Sequence, residues 1–286
     1  MQVQAPALTD DWVIAIPSLG RVKTFGTKTY SKLIVPHSLQ SKVHLFLQTE
    51  DDETAYRKAY PELKIVRSPV GLLDTANYIV DYFPVGQKVV LLHDDVTRVF
   101  SLNKFVRRAD VDDLGGLFDL TFEKMNEHKL NLGGLYPTPN LLSMKGAQES
   151  HGEFTTDLSF IHEPITLMIN QRIHIDGTKL YKGVEKMDYQ RSIFYGQQDG
   201  GVFRWNEYCF DSKYNPTKGK SKSGEVGGLG HRNEEEEQKA QDVFYQNYSE
   251  FVTRRDKKSF VLGFKKVCTV VVWFELQESI YKGCSA

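Results

Sequence analysis

Lys88-Val-Val-Leu-Leu-His-Asp-Asp-Val96 is a short apolar run that ends in two adjacent carboxylates. The stretch Lys88 to Leu92 has the length and β-branched content of a strand buried on both faces. In an open α/β sheet the ligand crevice lies outside the carboxyl ends of the strands. Asp94 and Asp95 therefore stand where a ligand would be met. As neighbours in extended chain they point to different sides, so one can coordinate a divalent cation while the other bonds a ribose or a backbone group. A hard metal such as Mg²⁺ or Mn²⁺ takes oxygen ligands and commonly bridges one or two carboxylates to a diphosphate. The plainer use of the pair is structural, with Asp94 capping a turn and Asp95 solvated.

Toward the N-terminus the strand pattern repeats. Strands are expected at Trp12 to Ile16, Val43 to Gln48 and Leu63 to Val66, and helices at Thr24 to Leu33, Glu53 to Tyr60 and Leu73 to Tyr82. This alternation is that of βαβ units and a mainly parallel sheet. Asp52 and Asp74 sit near helix starts, where a carboxylate caps free N–H groups. Toward the C-terminus, Asp112 to His128 forms one amphipathic helix, and Gly133, Gly134, Pro137 and Pro139 then predict a turn-rich crossing. Asp157 to Ile175 returns to strand-like alternation. Asp211 to Arg232 is polar, glycine-rich and lysine-rich, the composition of a mobile loop. Asn233 and the acidic run Glu234 to Glu237 start a helix expected to reach about Val252. Lys266 to Leu276, β-branched and aromatic, is expected to add a strand through an antiparallel hairpin with Phe260 to Phe264.

The whole chain has 286 residues, 40% hydrophobic and 26% charged, a balance that excludes collagen, coiled coil and wholesale disorder. No apolar run approaches the roughly 20 residues of a membrane-spanning helix. Asp10 and Asp11 precede the first apolar run, unlike a secretory signal, so a cytoplasmic protein without a membrane partner is expected. Cys209, Cys268 and Cys284 have no short spacing and cannot all pair, which predicts reduced, mostly buried thiols and neither a disulfide framework nor a zinc site. The net charge of −1 advertises no polyanionic partner, so nucleic acid would have to be held by a local patch.

Three motifs lie at the ends of these elements: Ile16-Pro-Ser-Leu-Gly-Arg21, His93-Asp94-Asp95 and Glu185-Lys-Met-Asp188. Together they resemble GT-A type glycosyltransferases. Within that fold they resemble the glycosyltransferases of the oxidised-thymine and hydroxymethylpyrimidine DNA pathways, including the base J glucosyltransferase and its phage relatives. The resemblance covers residues 10 to 235. It implies an α/β, Rossmann-like, mainly parallel sheet flanked by helices, with an added antiparallel portion and a lid loop at 211–232. Residues 1–286 would form a single domain, with 1–100 as the nucleotide-binding half and 101–286 as the acceptor half. A divalent metal, Mn²⁺ or Mg²⁺, and a UDP-sugar donor are implied. The acceptor would be the hydroxymethyl group of hydroxymethylcytosine or hydroxymethyluracil in DNA, and a phage or related viral origin fits it.

The resemblance also assigns residues. Asp95 inherits the metal-ligand role and Asp94 the ribose side, although His93 stands where the family's Asp-x-Asp motif has its first aspartate. Pro17, Ser18 and Arg21 fall where the nucleotide is held, and Arg21 can form paired charge-assisted bonds to a diphosphate or a base edge, or be a plain surface arginine. Glu50, with Asp51 and Asp52, follows the second strand, near the nucleoside or in a solvated acidic cap. Asn77 touches the sugar or is an exposed helix residue. Asp188 matches the base that takes the acceptor hydroxyl's proton as that oxygen attacks the anomeric carbon, with Glu185 as the second candidate and a helix cap as the alternative. Met187 replaces the usual acidic residue before it.

His231, in Gly227-Gly-Leu-Gly-His-Arg232, completes the metal site or is exposed. Lys218, Lys220, Lys222 and Arg232 would fold over the donor diphosphate, with Lys222 on the nucleotide-sugar. Lys218 and Lys220, with Arg107 and Arg108, would contact DNA phosphates or remain solvated charge. Tyr195, Phe203, Trp205 and Tyr208 would stack on an extruded base or form core. Two further activities stay open: transfer to protein Ser/Thr or a glycan, and a catalytically silent nucleotide-sugar or nucleic-acid binding module.

Overall fold

Alternation along each strand divides the interior into two apolar layers. In β1 (Val13–Ser18), Ile14 and Ile16 enter one cluster and Ala15 the other. The chain continues through α1 (Val22–Phe25) directly into a π-helical segment, Gly26–Ile34, then β2 (Val43–Leu47), α2 (Glu50–Ala59), β3 (Lys64–Arg67), α3 (Leu72–Tyr82) and β4 (Lys88–Leu92). Leu45 and Leu47 of β2 and Val90 and Leu92 of β4 share the Ile14 face, whereas Phe46, Val89 and Leu91 share the Ala15 face. Phe25, Leu33 and Tyr56 cover the first face, and Ile79 and Val80 of α3 cover the second. These strands pair in parallel in the order β3-β2-β1-β4. The computed structural model describes residues 7–102, 108–182, 186–212, 234–254 and 262–264.

The remaining elements are β5 (Val96–Leu102), β6 (Arg108–Asp110), α4 (Leu114–Glu127), β7 (Leu132–Tyr136), α5 (Leu141–His151), β8 (Phe154–Thr155), β9 (Ile165–Ile169), α6 (Met187–Asp199), β10 (Phe203–Ser212), α7 (Glu234–Tyr248), β11 (Val252–Arg254) and β12 (Leu262–Phe264). They extend the sheet to β3-β2-β1-β4-β9-β7-β10-β5-β6, with β8 on β10. β9 runs antiparallel to both β4 and β7, and β5 antiparallel to β10. The product is a mixed sheet of mostly parallel strands flanked by helices. Cys209 lies buried on β10 as a free thiol, its pKa pushed up to about 12 by burial.

Four expectations are corrected. Gly133 and Gly134 do not form a turn; they lie in β7 near the middle of the sheet. A Cβ at Gly133 would stand 2.7 Å from Met125 Sδ and one at Gly134 2.7 Å from Ile161 Cγ2, so neighbours on both faces pack onto bare backbone. Within Asp157 to Ile175 only Ile165–Ile169 is a strand. The late helix ends at Tyr248, and Val252–Arg254 pairs antiparallel with Leu262–Phe264. The expected lid, 211–232, does not begin at Asp211, because Asp211 and Ser212 close strand β10 against β5; its remainder and the last expected strand fall in residues 213–233 and 265–286, outside the described residues. Among the described residues no helix is long and apolar enough to cross a membrane.

Candidate functional site

β1 leads through its helices to β2 on one side, while β4 lies on its other side. The gap beyond the carboxyl ends of β1 and β4 is thus a topological switch point, the place where open α/β sheets bind ligands. Both strands deliver polar residues there. Ser18 is fully buried at the end of β1, and Asp94 and Asp95, just past β4, are 2% and 4% exposed. The Ser18 hydroxyl donates to Asp94 Oδ2 at 2.5 Å and lies 2.6 Å from the buried Tyr56 hydroxyl. Arg21 spans the two carboxylates, with Nη1 2.8 Å from Asp94 Oδ1 and Nη2 3.2 Å from Asp95 Oδ2. Ser212, at the end of β10, donates to Asp95 Oδ1 at 3.0 Å.

The loop that carries Arg21 is itself anchored. Gly20 turns at φ 63°, where a side chain would be strained, and its N–H donates to Asp52 Oδ1 at 2.9 Å. Asp52 also accepts from the Thr49 hydroxyl at 2.9 Å, while Thr49 caps α2 by accepting from the Asp52 amide. On the other side the Thr29 hydroxyl of the π-helical segment lies 2.8 and 3.0 Å from the His93 and Val96 carbonyls and fixes the turn of the acidic pair. The two carboxyls are driven apart. Burial raises Asp94 despite Arg21 and Ser18. Burial also works to raise Asp95, but the electrostatic pull of His93 and Arg21 and the hydrogen bonds from Ser212 and Arg21 outweigh it and hold Asp95 low.

A second group meets the first because β9 is antiparallel to β4. Leu92 pairs with Ile165, and the His93 amide donates to the Pro164 carbonyl at 3.0 Å. That register sets His162 and Glu163 beside the end of β4. A pocket is lined there by Pro17, His93, Glu163, Arg191 and, from α3, Thr75 and Ala76. Arg191 on α6, 4% exposed, places Nη1 3.3 Å from Glu163 Oε1. The Ser192 hydroxyl, which accepts from the Ile161 amide at 3.1 Å, ties the same helix to this segment. Asp188, in the first turn of α6, accepts from the Tyr189 amide at 3.0 Å. Its pKa is pushed up to about 7, by burial first and then by the charge of Glu163, against the pull of Lys186 and Arg191. His162 is held near 4 by burial first and by its electrostatic interaction with His93.

No protein-family model matches the chain, and no curated protein matches it in sequence. Among solved structures it is similar to a glucosyl-3-phosphoglycerate synthase from Mycobacterium tuberculosis in complex with phosphoglyceric acid, at 12% identity and a TM-score of 0.42 over 72% of each chain. It is also similar to GalNAc-T7 with UDP, GalNAc and Mn²⁺, at 10% identity and a TM-score of 0.48 over 84% of this chain and 50% of that one. A third similarity is to the galactosyltransferase LgtC with donor and acceptor sugar analogs, at 13% identity and a TM-score of 0.39 over 67% of this chain and 72% of that one. At these identities and TM-scores the likenesses assign neither activity nor ligand to this chain.

The expected residues divide into three sets. Pro17, Ser18, Arg21, Asp94 and Asp95 come together at the switch point, and Asp188 stands within electrostatic reach of Glu163. Others are placed elsewhere. Glu50 is exposed as the first residue of α2, and the acidic residue that reaches the Arg21 loop is Asp52. Asn77 is not an exposed helix residue: its amide donates to the Ile175 carbonyl at 3.1 Å and accepts from the Ile175 amide at 2.8 Å, so both ends serve the backbone instead of a sugar. Trp205 is 3% exposed, donates to the Thr121 hydroxyl at 2.9 Å and packs edge-on to Phe203, so it is core and presents no face to a base. Arg108 places Nη1 3.1 and 3.0 Å from the two Asp211 carboxylate oxygens and donates to the Pro139 carbonyl at 2.9 Å. Glu185, Arg107, Lys218, Lys220, Lys222 and His231 lie outside the described residues.

Among the described residues no group of three or more His, Cys, Asp or Glu could cage a metal ion. Asp94 and Asp95 are the ligand type that a hard divalent cation takes together with substrate phosphate and water, but Arg21, Ser18 and Ser212 engage their four oxygens. Tyr56, Glu163, Arg191, His162 and Ser212 belong to the site although no motif pointed to them. The adjacent His162-Glu163-Pro164, just before an apolar strand, was the one local hint.

Proposed function

We propose that the protein is a metal-dependent glycosyltransferase that moves a sugar from a UDP-sugar to the hydroxymethyl group of a modified pyrimidine in DNA. The observation that carries the donor half is the buried Asp94–Asp95 pair outside the β1/β4 switch point, joined to Ser18 and Arg21 from the end of β1. Asp95 would hold the cation, with Asp94 beside it. A bound Mn²⁺ or Mg²⁺ would supply charge neutralisation for the departing diphosphate. Arg21 adds a permanent positive charge at the same end of the crevice.

Asp188 is the proposed base. A carboxyl near 7 is part-ionised at neutral pH and strong enough to take the acceptor hydroxyl's proton as that oxygen bonds to the anomeric carbon and the bond to the nucleotide diphosphate breaks. Arg191 compensates Glu163 and keeps the neighbourhood of Asp188 from carrying two bare negative charges. The DNA acceptor rests on the motif resemblance. Transfer to a protein or glycan hydroxyl is the second reading, supported by the burial of Trp205 and by the pairing of Arg108 with Asp211, two residues expected to meet DNA.

The deciding experiment incubates the protein with Mn²⁺, nucleotide sugars and DNA containing hydroxymethylcytosine or hydroxymethyluracil, followed by mass spectrometry of the nucleosides. A hexose, pentose or N-acetylhexosamine mass on one nucleoside is the expected result. Donor consumption without added mass would discard DNA as acceptor, and a donor left wholly intact would refute the transferase.

A further inference from the structure

Two carboxylates on adjacent residues, both almost fully buried, repel each other unless a cation sits between them. Here that cation is part of the chain. The planar fork of Arg21 gives one nitrogen to each carboxylate, 2.8 Å from Asp94 and 3.2 Å from Asp95. Ser18 and Ser212 donate to the other two oxygens, so every carboxylate oxygen of the pair already has a donor. A hard divalent ion needs oxygens at about 2.0–2.6 Å, which brings it into the space that the guanidinium fills. Both cannot occupy it.

We propose that Arg21 is the resident cation of the Asp94–Asp95 pair, that it competes with a divalent metal for those carboxylates, and that a nucleoside diphosphate opens the pair by drawing the guanidinium to itself. The inference rests on the donor-site reading given above. The hinge for this exchange is built in. The Arg21 backbone is held by the Gly20 bond to Asp52, while its side chain is 23% exposed against 3% and 6% for those of Asp94 and Asp95. The exchange moves charge without waste: the metal replaces the guanidinium on the carboxylates, and the guanidinium finds the diphosphate oxygens, which it can also grip in paired fashion. Metal and nucleotide binding then reinforce each other, and the donor-free protein binds metal poorly.

The test is calorimetric titration of the full chain with MnCl₂, with and without saturating UDP, for wild type, Arg21→Met and Arg21→Lys. Wild type should bind Mn²⁺ weakly alone and at least about 10-fold more tightly with UDP, within the usual range of coupling between sites. Arg21→Met should bind Mn²⁺ at least about 10-fold more tightly than wild type without UDP, and its gain on adding UDP should shrink. If Arg21→Met does not fold in EDTA, Arg21→Lys carries the test, because an ammonium keeps the charge but cannot fork across both carboxylates. It should show a smaller gain of the same sign. Unchanged or weaker Mn²⁺ binding in the folded Arg21 variants without UDP would overturn the competition. So would a gained site that survives Asp95→Asn in the same background. Failure of UDP to bind any of the proteins would instead sink the donor-site reading and the role given to the diphosphate, while the Mn²⁺-only comparison still decides the competition.

Discussion

Replacing Asp188 with asparagine tests a base against a helix cap through stability and turnover read together. The Asp188 carboxyl is raised from 3.8 to about 7, by burial first and by Glu163 second. An acid whose folded pKa stands above its unfolded value holds its proton more tightly in the native state. Native stability is therefore unaffected below the unfolded pKa and falls as pH climbs from about 4 to about 7. At about 1.36 kcal/mol per unit, a rise of about three units gives a ceiling of about 4 kcal/mol lost by pH 8. Asparagine is neutral and keeps an oxygen for the Tyr189 amide. The variant should thus be more stable than wild type at pH 8, by at most about 4 kcal/mol, and level with it at pH 4. Urea unfolding followed by tryptophan fluorescence at pH 4, 6 and 8 measures this directly. Turnover of the proposed reaction on the same samples should fall by about 10²–10⁴-fold. Unchanged stability at every pH, with turnover intact, is the behaviour of a cap, because asparagine caps as well as aspartate, and would remove Asp188 from the chemistry.

Asp95→Asn should lose metal-supported turnover and about 2 kcal/mol of stability at pH 7, through its bonds to Arg21 and Ser212. Because the Asp95 pKa is held low in the folded protein, that stability is present above the unfolded value and is lost as pH falls, so the gap between variant and wild type should close in acid unfolding curves. Trp205→Ala should cost about 3–5 kcal/mol in urea unfolding while leaving UDP affinity unchanged, since the ring is core; a loss of acceptor affinity without loss of stability would contradict the core assignment. Gly201→Ala places a Cβ 1.9 Å from the Thr156 carbonyl oxygen, so backbone must move, and a cost of about 3 kcal/mol is expected in the same assay.

The first hundred residues were legible because each of their elements has a local cause. Strands β1 to β4 match the expected runs to within two residues at either end, and the helices between them start and stop near their caps. The end of β4 was legible as the place of the acidic pair because an apolar strand, Lys88–Leu92, closes directly on Asp94 and Asp95. Legibility failed where partners are distant in sequence. Gly133 and Gly134 look like breakers on composition, yet they are strand because Met125 and Ile161 press on the two faces of β7. Asn77 looks like a free helix amide until Ile175 arrives from 98 residues away to use both of its ends. Trp205 was open to stacking or core, and contact with Thr121 and Phe203 decided for core.

The sequence by itself determined the βαβ half, the switch-point strand and the acidic pair that ends it, since alternation and strand length act through neighbours along the chain. Only the tertiary structure decided what surrounds that pair. The antiparallel insertion of β9 between β4 and β7 brings Glu163 and His162 to His93, and α6 then sets Arg191 and Asp188 beside them. Strand direction and order are fixed by which apolar faces can be buried together, a property of the whole sheet that no local stretch of sequence carries. For the same reason Arg21, one more basic residue in the sequence, becomes the counter-charge of two buried aspartates only when β1 and β4 lie side by side.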